Sequence, residues 1–376
     1  MKIGINTLFL IPGEVGGSET YLCDVLRHAV GRHPEVDWVL FTNRENHGSF
    51  RLQFDRMPTV RCQLIPVRAR NRIARILQEQ IRLPLAVRRA GIEVLWSPGY
   101  TAPLWAPCPQ VVSVLDMQYR EFPEDLTPAA RLATRVLVPC AVRQSRRVIT
   151  LSEFSRDQIV RYTGCKREKV VPIHLAAGAE FGGVAPDGDA RRRALVPEGP
   201  YLLCVAHTYP HKNVHALVEA FGMMPLDGGC NLVLVGRERR GESLVVEALG
   251  KIHRPERVIR LQGLSRQDLI ALYQGAAVFV FPSLYEGFGL PVLEAMMAGT
   301  PVVTTERGPM REIGGETIRY CDGSAAGLLR EIMTVLADDP GARRSWVTRA
   351  RGRAQEFTWE RAADLTLAVL RSVADG

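Results

Sequence analysis

Short apolar runs rich in Val, Ile and Leu alternate along the chain with longer stretches whose apolar residues recur at helical spacing. That alternation predicts parallel sheets covered by helices. In the first half the predicted strands are Lys2–Leu8, Asp37–Phe41, Arg61–Ile65, Val94–Trp96, Gln110–Leu115 and Arg147–Thr150. In the second half they are Tyr201–Val205, Asn231–Val235, Val258–Leu261, Ala277–Phe281, Thr300–Val303 and Ile318–Cys321. Gly, Pro and Asp cluster over residues 176–199, between the halves, as in an inter-domain connection. Thr358 is placed to cap a last helix running from Trp359 to about Val373. The pattern predicts two α/β domains, residues 1–180 and 195–356, and a terminal segment, 357–376.

Length agrees with that division, since 376 residues are long for one hydrophobic core. A content of 46% hydrophobic and 23% charged residues indicates a globular chain rather than a disordered one. No apolar run approaches the roughly 20 residues needed to span a bilayer, and Met1-Lys2 leads directly into the first strand. Eight scattered cysteines without a CxxC pair suit reduced thiols in a cytoplasm, not a disulfide framework or zinc site. A net charge of +8 favours anionic partners: phosphates, nucleic acid or an acidic membrane surface. No basic motif interleaved with aromatics supports nucleic acid.

Open α/β sheets bind ligands at the carboxyl ends of their strands, so the segments following strands carry the chemistry. The strongest is Ser283–Ala295, after the strand Ala277–Phe281. Gly287 and Gly289 let backbone N–H groups approach a ligand. Pro291 suits the first position of the helix that follows. Phe288, Gly289 and Leu290 at that helix start form a site for a pyrophosphate. Glu294 sits in an otherwise apolar helix and needs polar partners, such as a ribose diol. Glu286, on the loop, can accept hydrogen bonds from sugar hydroxyls. A Gly-Pro turn with one solvated and one ion-paired Glu is the plain alternative.

Further segments follow other strands. Lys212, in His207–Asn213, lies at a helix start and can neutralise donor phosphates. Arg237, Gly263 and Leu264 are placed to flank a base and ribose. Gly16-Gly17 opens a helix at Ser18 without a G-x-G-x-x-G fingerprint, so an anion-friendly loop is indicated but NAD is not. Asp116 follows a strand and is a candidate catalytic residue at the cleft; Tyr100 also follows a strand and either lines an acceptor pocket or caps the domain edge. There is no clear D-x-D sequence to hold a metal on a pyrophosphate.

The segment from Glu286 to Glu294 resembles the E-x7-E signature of retaining glycosyltransferases of family 4, which have the GT-B fold. Met297–Val303, the "SEFS" of Ser152–Ser155, Asp116–Gln118 with Phe122–Glu124, and Gly308–Gly314 are similar to further family segments in the same order. The resemblance implies two Rossmann-like domains facing each other across a cleft, with the C-terminal helix returning to the N-terminal domain. It also implies retention of anomeric configuration; with no clear D-x-D, the helix start at Leu290 and Lys212 are expected to serve the pyrophosphate without a metal or other cofactor. Glu286 would then orient the donor sugar, Lys212 bind phosphate and Gly16-Gly17 close over it, with Ser18 and Tyr100 toward the acceptor. The Pro-x-Lys-Asn phosphate loop resembles mannosyltransferase-like members, which favours GDP-mannose as donor. The acceptor implied is a glycan or polyprenyl-linked carrier, in surface polysaccharide or glycolipid synthesis. Two departures stand out. Where the family often has Arg, this chain has His207 and His211; where it commonly has His before Asp116, there is Leu115. The alternatives are a sugar-nucleotide epimerase on the same scaffold and a binding protein without turnover, to which His207 and Leu115 lend weight.

A basic stretch runs from Arg68 to Arg89, opposed only by Glu79. Ile73, Ile76, Leu77 and Ile81 give it an apolar helical face. Such a helix either docks on an anionic membrane surface, as a peripheral protein would on the inner face of a membrane, or turns its apolar side to the core and its Arg side to water.

Overall fold

The computed structural model describes residues 1–14, 16–225 and 229–375. Val15 of the predicted anion loop and Gly376 of the terminal segment lie outside the described residues. The chain forms two compact units, Met1–Leu175 with Trp359–Gly376, and Ala176–Thr358.

In the first unit the elements are β1 (Lys2–Asn6), α1 (Gly17–Arg32), β2 (Asp37–Thr42), α2 (His47–Phe54), β3 (Val60–Leu64), α3 (Arg72–Ala90), β4 (Val94–Ser97) and β5 (Gln110–Ser113). They continue through α4 (Gln118–Glu121), α5 (Pro128–Gln144), β6 (Arg147–Thr150), α6 (Glu153–Thr163) and β7 (Val170–Pro172). The second unit holds α7 (Gly188–Leu195), β8 (Tyr201–Val205), α8 (Val214–Gly222), β9 (Asn231–Val235), α9 (Glu242–Leu249), β10 (Val258–Leu261), α10 (Arg266–Gly275) and β11 (Val278–Phe281). It closes with α11 (Leu290–Ala298), β12 (Val302–Thr305), α12 (Met310–Gly314), β13 (Arg319–Cys321), α13 (Ala325–Ala337) and α14 (Pro340–Gln355). The last helix, α15 (Trp359–Ala374), packs in the first unit against α1, β4, β5 and β6.

Among the described residues every strand pairing is parallel. The first sheet has the order β3-β2-β1-β4-β5-β6-β7 and the second β10-β9-β8-β11-β12-β13. Both are Rossmann-like α/β sheets, as the apolar runs predict. Two local differences have physical causes. β7 was not among the predicted strands because three residues, Val170-Val171-Pro172, are too short a run to show periodicity. The strand predicted at Thr300–Val303 lies instead at Val302–Thr305, because Thr300 ends the preceding segment, its Oγ1 donating to the Tyr273 carbonyl. The Gly- and Pro-rich connection also holds α7, which packs against α10.

Helices cover both faces of the first sheet. Leu95 of β4 packs with Leu83 and Val87 of α3, and Val112 of β5 packs with Val138 and Val142 of α5. Ser97 pairs in register with Val112, and Leu95 shares the face of Ser97 two residues on, so α3 and α5 lie on one face. Trp96 points the other way, its ring edge-on to Tyr21 of α1 with 6.1 Å between centroids.

Candidate sugar-nucleotide site

Each sheet reverses its strand order once, between β1 and β4 and between β8 and β11. Loops after the two strands at such a switch diverge and leave a crevice at the carboxyl edge. In the second unit those loops are His207–Asn213 and Ser283–Gly289, the two segments richest in candidate residues. In the first unit they lead to Gly16-Gly17 and to Tyr100.

Strand order arranges the second unit's candidates in a row. Gly263 and Leu264 follow the edge strand β10, Gly236 and Arg237 follow β9, the His207–Lys212 loop follows β8, and Glu286 follows β11. Gly236 permits the close approach of the loops after β9 and β8: a Cβ there would lie 2.1 Å from the Ala206 carbonyl oxygen. Arg237 is exposed, and its backbone N–H donates to Nδ1 of His207 at 3.0 Å.

That bond leaves neutral His207 with its proton on Nε2. Burial holds the imidazole pKa below its ordinary value, and the cations of Arg239, Arg237 and Lys212 push the same way. His207 therefore supplies a donor, not a substitute for the family's Arg charge. His211 is buried, stacked on Tyr209 with centroids 5.6 Å apart.

Lys212 provides the cation. Its Nζ lies 2.5 Å from Oε1 of Glu286, both side chains being mostly buried, and 5.7 Å from the Phe281 ring centre. The two loops that bring them together are stitched by backbone and side-chain bonds. Leu284 N donates to the His211 carbonyl at 2.8 Å. Asn213, in the left-handed region at φ 56°, donates from Nδ2 to the carbonyls of Pro282 and Gly323, at 3.3 and 2.8 Å.

The turn into α11 depends on Gly289, whose φ of 109° is left-handed and whose missing side chain makes room for Met310. Gly289 is the N-cap, so Pro291 occupies the second helical position and not the first. In the first turn of α11 Pro291 has no N–H and Val292 N donates to the Gly289 carbonyl at 3.0 Å, so the Leu290 N–H, at the positive end of the helix dipole, is the one this turn can offer an anion. One turn further, Glu294 is buried and accepts the Tyr273 phenol on Oε2 at 3.0 Å. Burial pushes its carboxyl up to about 7; Tyr273 and Arg266 pull it down, and Glu180 raises it. Tyr273, Phe279 and Phe281 form a run of ring contacts linking Glu294 to the face beneath Lys212.

In the first unit Gly16 takes φ 58° and α1 begins at Gly17; both glycines are exposed and Ser18 is half-buried. Tyr100 is held at φ 68°, its N–H donating to the Ser113 carbonyl at 3.1 Å. Asp116 accepts the Gln118 N–H at 3.0 Å, and the Leu115 carbonyl accepts the Thr150 hydroxyl at 3.4 Å. In the "SEFS" segment Ser152 caps α6, accepting the Ser155 N–H at 3.0 Å.

Pattern reasoning missed Asn213 as a clamp, Tyr273 as the partner of Glu294, and Glu79. Glu79 is 1% exposed and accepts from Asn6 Nδ2 and Thr101 Oγ1, each at 3.0 Å. It thereby ties the end of β1 to the loop after β4. Its one sequence signal is being the lone acid in a basic helix.

Two Rossmann-like parallel sheets, each with its candidate residues at a switch point, define a GT-B type chain. The profile "Glycosyltransferase Family 4" matches residues 15–177 and "Glycosyl transferases group 1" residues 188–353. The chain belongs to the group 1 glycosyltransferases. It is 32% identical over 230 residues to O-antigen chain mannosyltransferase B of Escherichia coli, covering 58% of this chain and 59% of that protein. It is 35% identical over 234 residues to an MMP alpha-(1->4)-mannosyltransferase of Mycolicibacterium hassiacum, covering 60% and 54%. These alignments span little more than half the length of the relatives. Among solved structures, Anabaena HepE in complex with UDP-glucose superposes with a TM-score of 0.77 at 20% identity, over 99% of this chain and 100% of that one.

Proposed function

We propose that this chain transfers a hexose from a nucleoside-diphosphate sugar to a glycan or lipid-linked acceptor, with retention at the anomeric carbon and no metal. The Lys212–Glu286 pair, set beside the α11 N-terminus and the buried Glu294, carries this reading.

In the mechanism proposed, the row along the second sheet takes the donor lengthwise. Base and ribose lie toward Gly263, Leu264, Arg237 and Glu294. The phosphates meet the Phe288–Leu290 backbone and Lys212, and the sugar meets Glu286. Lys212 and the helix N-terminus stabilise the charge that grows on the leaving diphosphate. Donor binding exchanges the Lys212–Glu286 contact for one phosphate contact and one sugar hydroxyl contact. The acceptor hydroxyl attacks the face the diphosphate leaves, and a departing phosphate oxygen takes its proton. Asp116, Tyr100 and Ser18 lie on the first unit, which is proposed to bind the acceptor.

Two mannosyltransferases among the relatives support mannose, and with it GDP-mannose, as donor. The setting proposed is cytoplasmic synthesis of a surface polysaccharide or glycolipid, which a polyprenyl-linked acceptor would bring to a membrane surface. Thermal unfolding in the presence of GDP-, UDP- and dTDP-sugars tests the donor. GDP-mannose should raise Tm most; a shift from UDP- or dTDP-sugars alone would replace the donor assignment.

A further inference from the structure

Helix α3 has its apolar stripe on the outside. Ile73, Leu77, Ile81 and Leu85, spaced four residues apart, are 74%, 52%, 59% and 48% exposed. The core side is instead formed by Leu83, Pro84, Ala86, Val87 and the hydrogen-bonded Glu79. The reading in which the Ile and Leu face enters the core and only arginines meet water is therefore excluded.

The stripe is not isolated. Gln80 fastens the neighbouring loop to α3: its Oε1 accepts the Leu104 N–H at 2.8 Å and its Nε2 donates to the Ala102 carbonyl at 3.3 Å. That loop presents Leu104 at 48% and Trp105 at 61% exposure, while Ala106 and Cys108 pack into the core with α3. On the same face of the sheet, α5 exposes Leu132 and Val136.

Charge is one-sided here. Glu79 is the sole acid in α3 and is buried, and α5 contains none, whereas Arg72, Arg82, Arg88, Arg89 and Arg135 are exposed. A contiguous apolar ridge edged by cations, with an exposed Trp, calls for a partner that is both anionic and able to accept apolar side chains. A bilayer of anionic phospholipid meets both demands: arginine stems lie along the apolar boundary while the guanidinium groups reach phosphates.

We propose that this face of the first unit, α3 with Leu104 and Trp105 and the outer side of α5, docks on an anionic lipid bilayer. Docking does not require the transferase reading, so the two can fail separately.

The test is flotation of the full chain with phosphatidylcholine vesicles, with and without about 30 mol% phosphatidylglycerol. The chain should float with the anionic vesicles at least roughly tenfold better, and lose binding as salt rises from about 0.05 to 0.5 M. Trp105 is the most exposed of the described tryptophans, so brominated lipid should quench emission in the wild type and not in Trp105→Phe. Arg72→Glu with Arg82→Glu and Arg89→Glu should abolish flotation, and Leu77→Ser with Ile81→Ser should weaken it at unchanged charge. Equal binding to neutral vesicles, or absence of quenching with the wild type, overturns the proposal whether or not the variants fold. A stable dimer that Leu77→Ser dissociates, with no vesicle binding, would make a second copy the occupant instead.

Discussion

Tyr273 donates its phenolic O–H to Glu294 Oε2 across 3.0 Å, with both side chains buried beneath the start of α11. This bond is too weak to offset burial, so the Glu294 carboxyl stands at about 7 against an ordinary 4.5. The folded chain then holds this proton more tightly than the unfolded chain does. The group's contribution to stability is complete below about 4.5 and is lost as pH rises through about 7, by about 3 kcal/mol. Glu294→Gln should lack that loss and gain on the wild type between pH 5 and pH 8 in urea unfolding. A constant difference between the two proteins over this range would contradict the assignment.

Donor affinity should follow the same group with the opposite slope. An ionised carboxylate is the better acceptor for ribose hydroxyls, so nucleotide affinity should rise as pH passes about 7. Calorimetric titration of the donor checks this, and Glu294→Gln should flatten the profile.

Lys212 and Glu286 lie 2.5 Å apart but have different tasks in the proposed reaction. Lys212→Ala should lower transfer by about a hundredfold or more, through the growing diphosphate charge. Glu286→Gln should reduce kcat more than it weakens binding of the bare nucleoside diphosphate, since its contacts are to the sugar. Comparing donor and bare diphosphate by calorimetry separates them. Equal losses for both ligands in Glu286→Gln would remove Glu286 from the sugar.

Asn213 bonds two carbonyls from separate loops while held at a left-handed φ. Asn213→Ala leaves both acceptors without that donor and adds backbone strain, at a cost of about 2–4 kcal/mol. Asn213→Gly should recover only the strain. Chemical denaturation of the pair checks the order.

Glu79 answers a like question in the first unit. Glu79→Ala leaves the Asn6 amide and Thr101 hydroxyl buried without their carboxylate, and should cost about 3 kcal/mol. Glu79→Gln, which keeps one acceptor oxygen, should cost less. Urea unfolding of the two variants measures the difference.

Much of this was legible in the sequence for one reason: parallel strands buried on both faces are continuous apolar runs. The central strands β8, β9 and β11 announced themselves that way, whereas the edge strands β3 and β10 are only partly buried and β7 was too short. The segments bearing Glu286, Glu294 and Lys212 were legible because glycine, proline and charge at a strand end break the apolar pattern. What stayed hidden depends on the packing of distant residues. The Tyr273 phenol reaches Glu294 from another helix, and the Asn213 amide spans loops 69 and 110 residues away. Helix periodicity located the apolar stripe of α3 but could not tell which side faces the sheet. Glu79 settles that, because its bonds to Asn6 and Thr101 turn the neighbouring stripe outward.

The central claim is tested most directly by incubating the protein with GDP-mannose, UDP-glucose and dTDP-glucose in EDTA, with a polyprenyl-linked acceptor, and following the product's anomeric proton by NMR. The account predicts mannose transfer with the donor's configuration kept, lost in Lys212→Ala and Glu286→Gln. An inverted product, a free epimerised sugar formed without acceptor, or full activity in either variant would contradict it.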